Sequence, residues 1–220
     1  MKIITKAVYT FRELLELEES GQVSTIAVEK ARNWLSDIED DWSDSVIEMW
    51  HELLKSIGFS DIKIQFSGFW SQGDGASFTC KIDFQKFAEF LATERQESNE
   101  NYGTPEYLLN RIGWNGINQN TRFEWLSCFE DYFQASIRRG SYRYSHENTC
   151  SFELDYSGRA NIDRVYQDFV DLAEELRTDI CRAIYSDLQQ EYEYRTSDEC
   201  LSEQSWVNDY YFDENGDFDS

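Results

Sequence analysis

The hydrophobic pattern changes period along the chain, and this restricts the fold more than any other feature. Val46, Trp50, Leu53, Leu54 and Ile57 recur at helical spacing and stop at Gly58. From Asp61 the pattern is different: Ile62, Ile64 and Phe66 alternate with polar residues, and Phe78, Cys80, Ile82 and Phe84 do so again beyond Ser71-Gln72-Gly73-Asp74-Gly75. A period near 3.6 puts apolar side chains on one face of a helix, whereas a period of 2 puts them on one face of a strand. The change therefore predicts a helix followed by a β-hairpin. Helical spacing returns at Phe84 to Arg95, at Pro105 to Ile112, and at Phe123 to Arg139 with Gly140 as the stop. It appears last at Ile162 to about Tyr194, where Val165, Phe169, Leu172, Leu176, Ile180, Ile184 and Leu188 form one stripe. Between the last two helices, Tyr142 to Tyr144 and Cys150 to Tyr156 read as a second hairpin, joined through His146-Glu147-Asn148. Upstream, Lys2 to Phe11 reads as a strand and Thr25 to Trp34 as a helix.

The order β-αα-ββ-αα(α)-ββ-α predicts an α+β fold. It would be a single domain with an antiparallel sheet of about five strands, the N-terminal strand plus two hairpins, covered by helices that include a long C-terminal one. Pro105 is the only proline and no Pro-rich or Gly/Ser-rich linker interrupts the pattern, so one domain is expected over residues 1–205. Residues 206–220 are expected as an acidic, frayed tail. Its aromatics, Trp206, Tyr210, Tyr211 and Phe218, are suited to docking it onto the body or onto a partner.

Charge restricts the partners. The 220 residues hold 43 acidic and 20 basic side chains, a net charge of −23. No basic cluster is present to neutralise phosphates, which argues against direct binding to nucleic acid or to an anionic membrane. No stretch has the length and apolarity of a signal peptide or a membrane span, so a soluble intracellular protein is expected. Residues 12–55 carry a net −8 and residues 191–220 a net −9, around a nearly ordinary middle. A folded monomer of this mass has about 10,500 Å² of surface, or roughly one net charge per 450 Å² if spread evenly. Duplex DNA has roughly one per 100 Å². An acidic face that imitates DNA therefore requires the two acidic segments to lie side by side. The ordinary alternative is a solvated coat that opposes association.

The motifs offer little chemistry. Gly68 and the Ser71-Gln72-Gly73-Asp74-Gly75 turn read as a structural hairpin, since a phosphate-binding loop needs a helix after its glycines and a strand follows here. One carboxylate, Asp74, rarely makes a metal site. The two histidines, His51 and His146, have no nucleophile motif beside them, so a catalytic reading would need Asp74, His146 and a hydroxyl to converge. Asp213 to Asp219 fits a calcium loop poorly because the chain ends before a position-12 glutamate. The five cysteines lack any CxxC spacing and are expected to be reduced and structural. No cofactor, metal or catalytic residue is expected.

Several strings carry a resemblance. An opening strand ending in VYTF, then KARNW (Lys30 to Trp34), FSGFWSQGDGASF, YRYSHENT (Tyr142 to Thr149) and EYEYRTSDE (Glu191 to Glu199) together resemble a family of small acidic proteins of tailed bacteriophages, sometimes labelled antitoxin-like. The resemblance implies a phage-encoded accessory protein acting in the host bacterial cytoplasm. With the charge, it leads to the expectation of a non-enzymatic inhibitor of a bacterial defence system (restriction, BREX-like or CRISPR). It would bind a host protein with a basic or DNA-binding surface, either as a DNA mimic or by blocking assembly. The expected protein-binding residues are Asp37, Glu39, Asp40, Asp41 and Asp44 with Trp42, and Glu203, Asp209, Asp213, Glu214, Asp217 and Asp219 with Trp206 and Tyr210. The alternative is an antitoxin-like protein that neutralises one toxin through its hairpins.

Overall fold

A computed structural model describes residues 6–38, 41–91, 104–114, 133–156 and 163–219. The fold is α+β, and its contacts fall into two compact units. Residues 45–189 form one, and residues 1–44 with 190–220 form the other.

In the central unit, β1 (Phe59–Ser67), β2 (Gly75–Ile82), β3 (Phe133–Arg139) and β4 (Cys150–Tyr156) form an antiparallel sheet in the order β1-β2-β3-β4. The β1-β2 hairpin runs from Phe59 opposite Ile82 to Ser67 opposite Gly75, with an irregularity between Ser60 and Lys63. Asp61 there has φ +52° and pairs with Lys81 across the strands. Buried Phe59, Phe78, Phe87, Phe90, Phe152 and Phe169 contribute, with Trp50, to an aromatic core. Among the described residues, the helices of this unit are α3 (Asp44–Ser56), α4 (Phe84–Leu91), α5 (Pro105–Ile112) and most of α6 (Asp163–Arg195). Fully buried Trp50 donates its indole N–H to Asp187 of α6 at 2.9 Å, and Arg111 of α5 ion-pairs with the same carboxylate.

The second unit contains α1 (Phe11–Glu19), α2 (Thr25–Asp37), the end of α6, α7 (Asp198–Val207), and a small hairpin of β5 (Tyr211–Phe212) and β6 (Phe218–Asp219). Thr10 and Glu13 form a reciprocal capping box that starts α1, and Ser24 caps α2. The core is Phe11, Leu14, Val28, Ala31, Leu35, Leu201 and Phe212. Tyr9 and Phe212 exchange two backbone hydrogen bonds of 2.8 Å. Buried Ser205 accepts from the Phe11 amide and donates to the Tyr210 carbonyl, joining α1, α7 and the hairpin.

Three expectations are corrected. Residues 6–10 of the expected N-terminal strand do not join the main sheet: Tyr9 makes one isolated bridge to Phe212 and Phe11 already begins α1, while residues 2–5 lie outside the described residues. Among the described residues the main sheet has four strands. Residues 133–139, expected within a helix, are strand β3, while Tyr142 to Tyr144 form no strand; residues 123–132 lie outside the described residues. The second hairpin thus begins earlier than its aromatic stretch. Residues 211–219 are not frayed but docked on the body of their unit, because β5 and β6 pair and Phe212 is fully buried.

Candidate functional site

The C-terminal hairpin is held by the acids and aromatics that the sequence marks for binding a partner. Asp213 accepts hydrogen bonds from the amides of Asn215 and Asp217 (2.9 and 3.0 Å) and so closes the turn. Its carboxyl and that of Asp219 both pair with Lys6, and Asp217 pairs with Lys30 of α2. Burial alone would raise the Asp213 carboxyl, but the Asp217 and Asn215 amides and the Lys6 ammonium together hold it below the ordinary value of 3.8. Trp34 of α2 stacks on Phe218 at 4.0 Å and meets Tyr210 and Phe212 edge-on at 5.3 and 5.5 Å. Tyr210, Asp213, Asp217 and Asp219 therefore hold the hairpin to its own unit. Trp34 is the organising residue that sequence reasoning missed as part of this site.

The other expected residues lie on the surface of the same unit. Asp37 ends α2 and is exposed, as are Asp41 and Asp44, and the Asp44 carboxylate favours the positive N-terminal end of α3. Glu39 and Asp40 lie outside the described residues. Trp42 is half-buried, its ring 5.5 Å from that of Tyr192. Asp37, Trp42, Tyr192, Arg195 and Gln204 border a hollow of about 370 Å³. Asp209 is exposed at φ +55° where the chain leaves α7, and Glu214 is exposed in the hairpin turn.

Glu203 and Trp206 lie at a second hollow of about 500 Å³, with Thr10, Arg12, Glu13, Glu199 and Ser202. Trp206 is 72% exposed, whereas the other two expected anchors, Trp42 and Tyr210, are packed. Glu199, Glu203 and Trp206 repeat at i, i+4 and i+7 on α7, a signal that was readable in the sequence; Glu13 comes from α1 and was not. Of the described cations of this unit, Lys6, Lys30, Arg32 and Arg195 are in ion pairs, and Arg12 borders the second hollow itself. No cation pairs with Asp37, Asp41, Asp44, Glu203, Asp209 or Glu214 among those residues.

In the central unit, the Gly68 to Gly75 turn meets the His146 stretch. Asp74 accepts from the Ser71 amide at 2.5 Å, and its own amide donates to the Ser71 carbonyl at 3.1 Å. Gly73 has φ +93° and lies against the Tyr144 ring, while a Cβ on Gly75 would come within 2.9 Å of the His146 ring. Gly68 faces the Asp74 carboxylate, its carbonyl accepts from the Tyr185 hydroxyl at 3.2 Å, and Gln72 is exposed. The Ser145 amide donates to the Ser67 hydroxyl at 2.6 Å. His146 Nδ1 accepts from the Asn148 amide and caps a short 3-10 turn, and no described hydroxyl bonds to its ring. These residues serve the architecture of the two turns. Among the described residues, no group of three acids, cysteines or histidines is placed to hold a metal, and no helix is long and apolar enough to cross a membrane.

The chain is an α+β protein in which the more acidic unit is built from residues 1–44 and 190–220 and the sheet belongs to residues 45–189. Over residues 42–198 the chain matches the family model DUF8835, a domain of unknown function, and it belongs to that family. Neither the curated proteins nor the solved structures include a match to the chain. The matched span covers the whole central unit, while α1, α2 and the C-terminal hairpin lie beyond it.

Proposed function

We propose that the protein is a non-enzymatic, phage-encoded inhibitor that binds a basic surface of a host defence protein through the unit formed by its two ends. What supports this reading most is the exposed Trp206 beside a hollow bordered by Glu13, Glu199 and Glu203. An exposed Trp among carboxylates suits a cationic partner, because the ring offers an apolar contact and a cation–π face while the acids supply charge complementarity. The unit holds 20 acidic and 6 basic residues, a net −14 in one third of the chain.

Charge density favours one version of the idea. A compact body of this size has about 4,800 Å² of surface, or about one net charge per 340 Å². That is still about three times sparser than duplex DNA. Asp213, Asp217 and Asp219 are, moreover, engaged in internal pairs. Recognition of a basic protein surface anchored by Trp206 therefore accounts for the unit better than imitation of successive phosphates. The phage and defence assignment rests on the resemblance of the SQGDGASF and YRYSHENT strings.

Affinity capture from a bacterial lysate at low and high salt, with the captured proteins identified by mass spectrometry, tests the proposal. It predicts a basic, DNA-handling protein that is lost at high salt and lost to the E199Q/E203Q/W206A variant. Capture that survives both would remove the acidic-surface reading. Rescue of growth from one toxin, abolished by changes at the central hairpins alone, would favour the antitoxin reading.

A further inference from the structure

Cys150 opens β4 and Cys181 lies midway along α6, and their sulfurs are 3.8 Å apart with both side chains buried. Between these elements sits Arg177, only 7% exposed, with Nη1 3.5 Å from the Cys150 sulfur and donating to the Glu147 carbonyl. Its Nε pairs with Glu174, whose other oxygen accepts from the Phe152 amide at 2.6 Å. Burying an arginine is costly unless its charge is used. A guanidinium fixed beside a thiol favours the thiolate, the form that reacts with oxidants. Among the described residues, the charged and titratable groups facing the pair are Arg177, Glu147 and Cys80, with Glu174 on the far side of Arg177.

We propose that Cys150 and Cys181 are an oxidisable thiol pair, in which hydrogen peroxide oxidises Cys150 and Cys181 resolves it to a disulfide joining β4 to α6. The Cys150 thiolate attacks one peroxide oxygen, the O–O bond breaks, and hydroxide leaves, giving a sulfenic acid. The Cys181 sulfur then attacks the Cys150 sulfur; the S–O bond breaks, the S–S bond forms, and the oxygen departs as water with the Cys181 proton. In sum, two thiols lose two electrons and two protons, and one peroxide becomes two waters. The sulfurs must approach from 3.8 Å to about 2.05 Å, a movement within reach of side-chain rotation. Arg177 is a positioning residue whose charge adds to the hydrogen bonds that favour the Cys150 thiolate. In support, the Cys150 thiol is held down to about 6, first by the hydrogen bond with Cys181 and then, against burial, by the Phe78 amide and by Arg177, while Cys181 is pushed up. Cys80, buried without such a partner, is pushed up to about 12 by burial.

The test treats the folded wild-type chain with hydrogen peroxide, then denatures it, alkylates free thiols and maps the peptides by mass. The expected product is a Cys150–Cys181 crosslink about 2 Da lighter than the reduced pair, reversed by dithiothreitol, with Cys80 still alkylated. C181S should instead accumulate a Cys150 sulfenic acid that dimedone captures. Arg177→Met should slow crosslinking at neutral pH by about tenfold, and Arg177→Lys by less. The wild-type rate should rise with pH through a midpoint clearly below the ordinary thiol value. The proposal fails if both thiols remain alkylatable after peroxide, if half-buried Cys200 oxidises first, or if the midpoint is that of an ordinary thiol.

Discussion

Gly216 has φ +74°, and a Cβ there would lie 1.9 Å from the Ala27 carbonyl oxygen of α2, so the hairpin turn approaches the helix as only glycine permits. Gly21 has nearly the same φ, +75°, with open space around it. Gly216→Ala should therefore destabilise by at least about 2 kcal/mol, because the turn must lift off α2. Gly21→Ala should cost only about 1 kcal/mol, the backbone contribution alone. Chemical denaturation of both variants checks the contrast, and equal losses would show that the close approach carries no weight. At Trp206, high exposure predicts the opposite profile. Trp206→Ala should leave the melting temperature unchanged while weakening partner binding by about 2 kcal/mol, roughly thirtyfold. A fall in melting temperature would assign Trp206 to packing.

At the scale of elements, the acidic hairpin links pH to local stability. The folded value of Asp213 lies below its ordinary 3.8, so its contribution is fully present above that value and is lost as pH falls through the lowered one. Acid titration should therefore release the hairpin below about pH 4. Trp34 emission, reporting loss of its stack on Phe218, should change before the circular dichroism of the helices does. Simultaneous changes would contradict a hairpin held by Asp213.

The legibility of the elements follows from their physics. The β1-β2 hairpin and α5 are clear in the sequence because alternation, glycines and Pro105 each mark them locally. The β3 strand is not, since Gln134, Ala135, Ser136, Ile137, Arg138 and Arg139 include good helix formers, and only buried Ala135 and Ile137 reveal the alternation. The N-terminal stretch carries β-branched residues, yet its T-x-x-E signature at Thr10 to Glu13 marks the helix that forms. Within the candidate site, the α7 face of Glu199, Glu203 and Trp206 is legible as one spacing. The joining of α1 to α7, and the use of Asp213, Asp217 and Asp219 as internal ties, depend on partners about two hundred residues away, and no local pattern encodes them.

For the whole molecule, the acidic ends lie in one compact unit, and most of the net charge belongs to a body distinct from the sheet-bearing middle. Glu48 and Glu52 of α3, counted with the N-terminal acidic segment, belong to the central unit instead. Central-unit variants such as Trp70→Ala, at an exposed position in the β1-β2 turn, should leave partner binding within about twofold, an effect small on the scale of a hot spot. A large loss would move the interface to the hairpins. The most direct measurement titrates the purified host partner against wild-type protein and the E199Q/E203Q variant across salt from about 50 to about 300 mM, over which screening shortens to a few ångströms. The acidic-surface account predicts that wild-type affinity falls at least tenfold across that range, with a distinctly shallower slope for the variant. Equal slopes for the two proteins, or an affinity indifferent to salt, would contradict it.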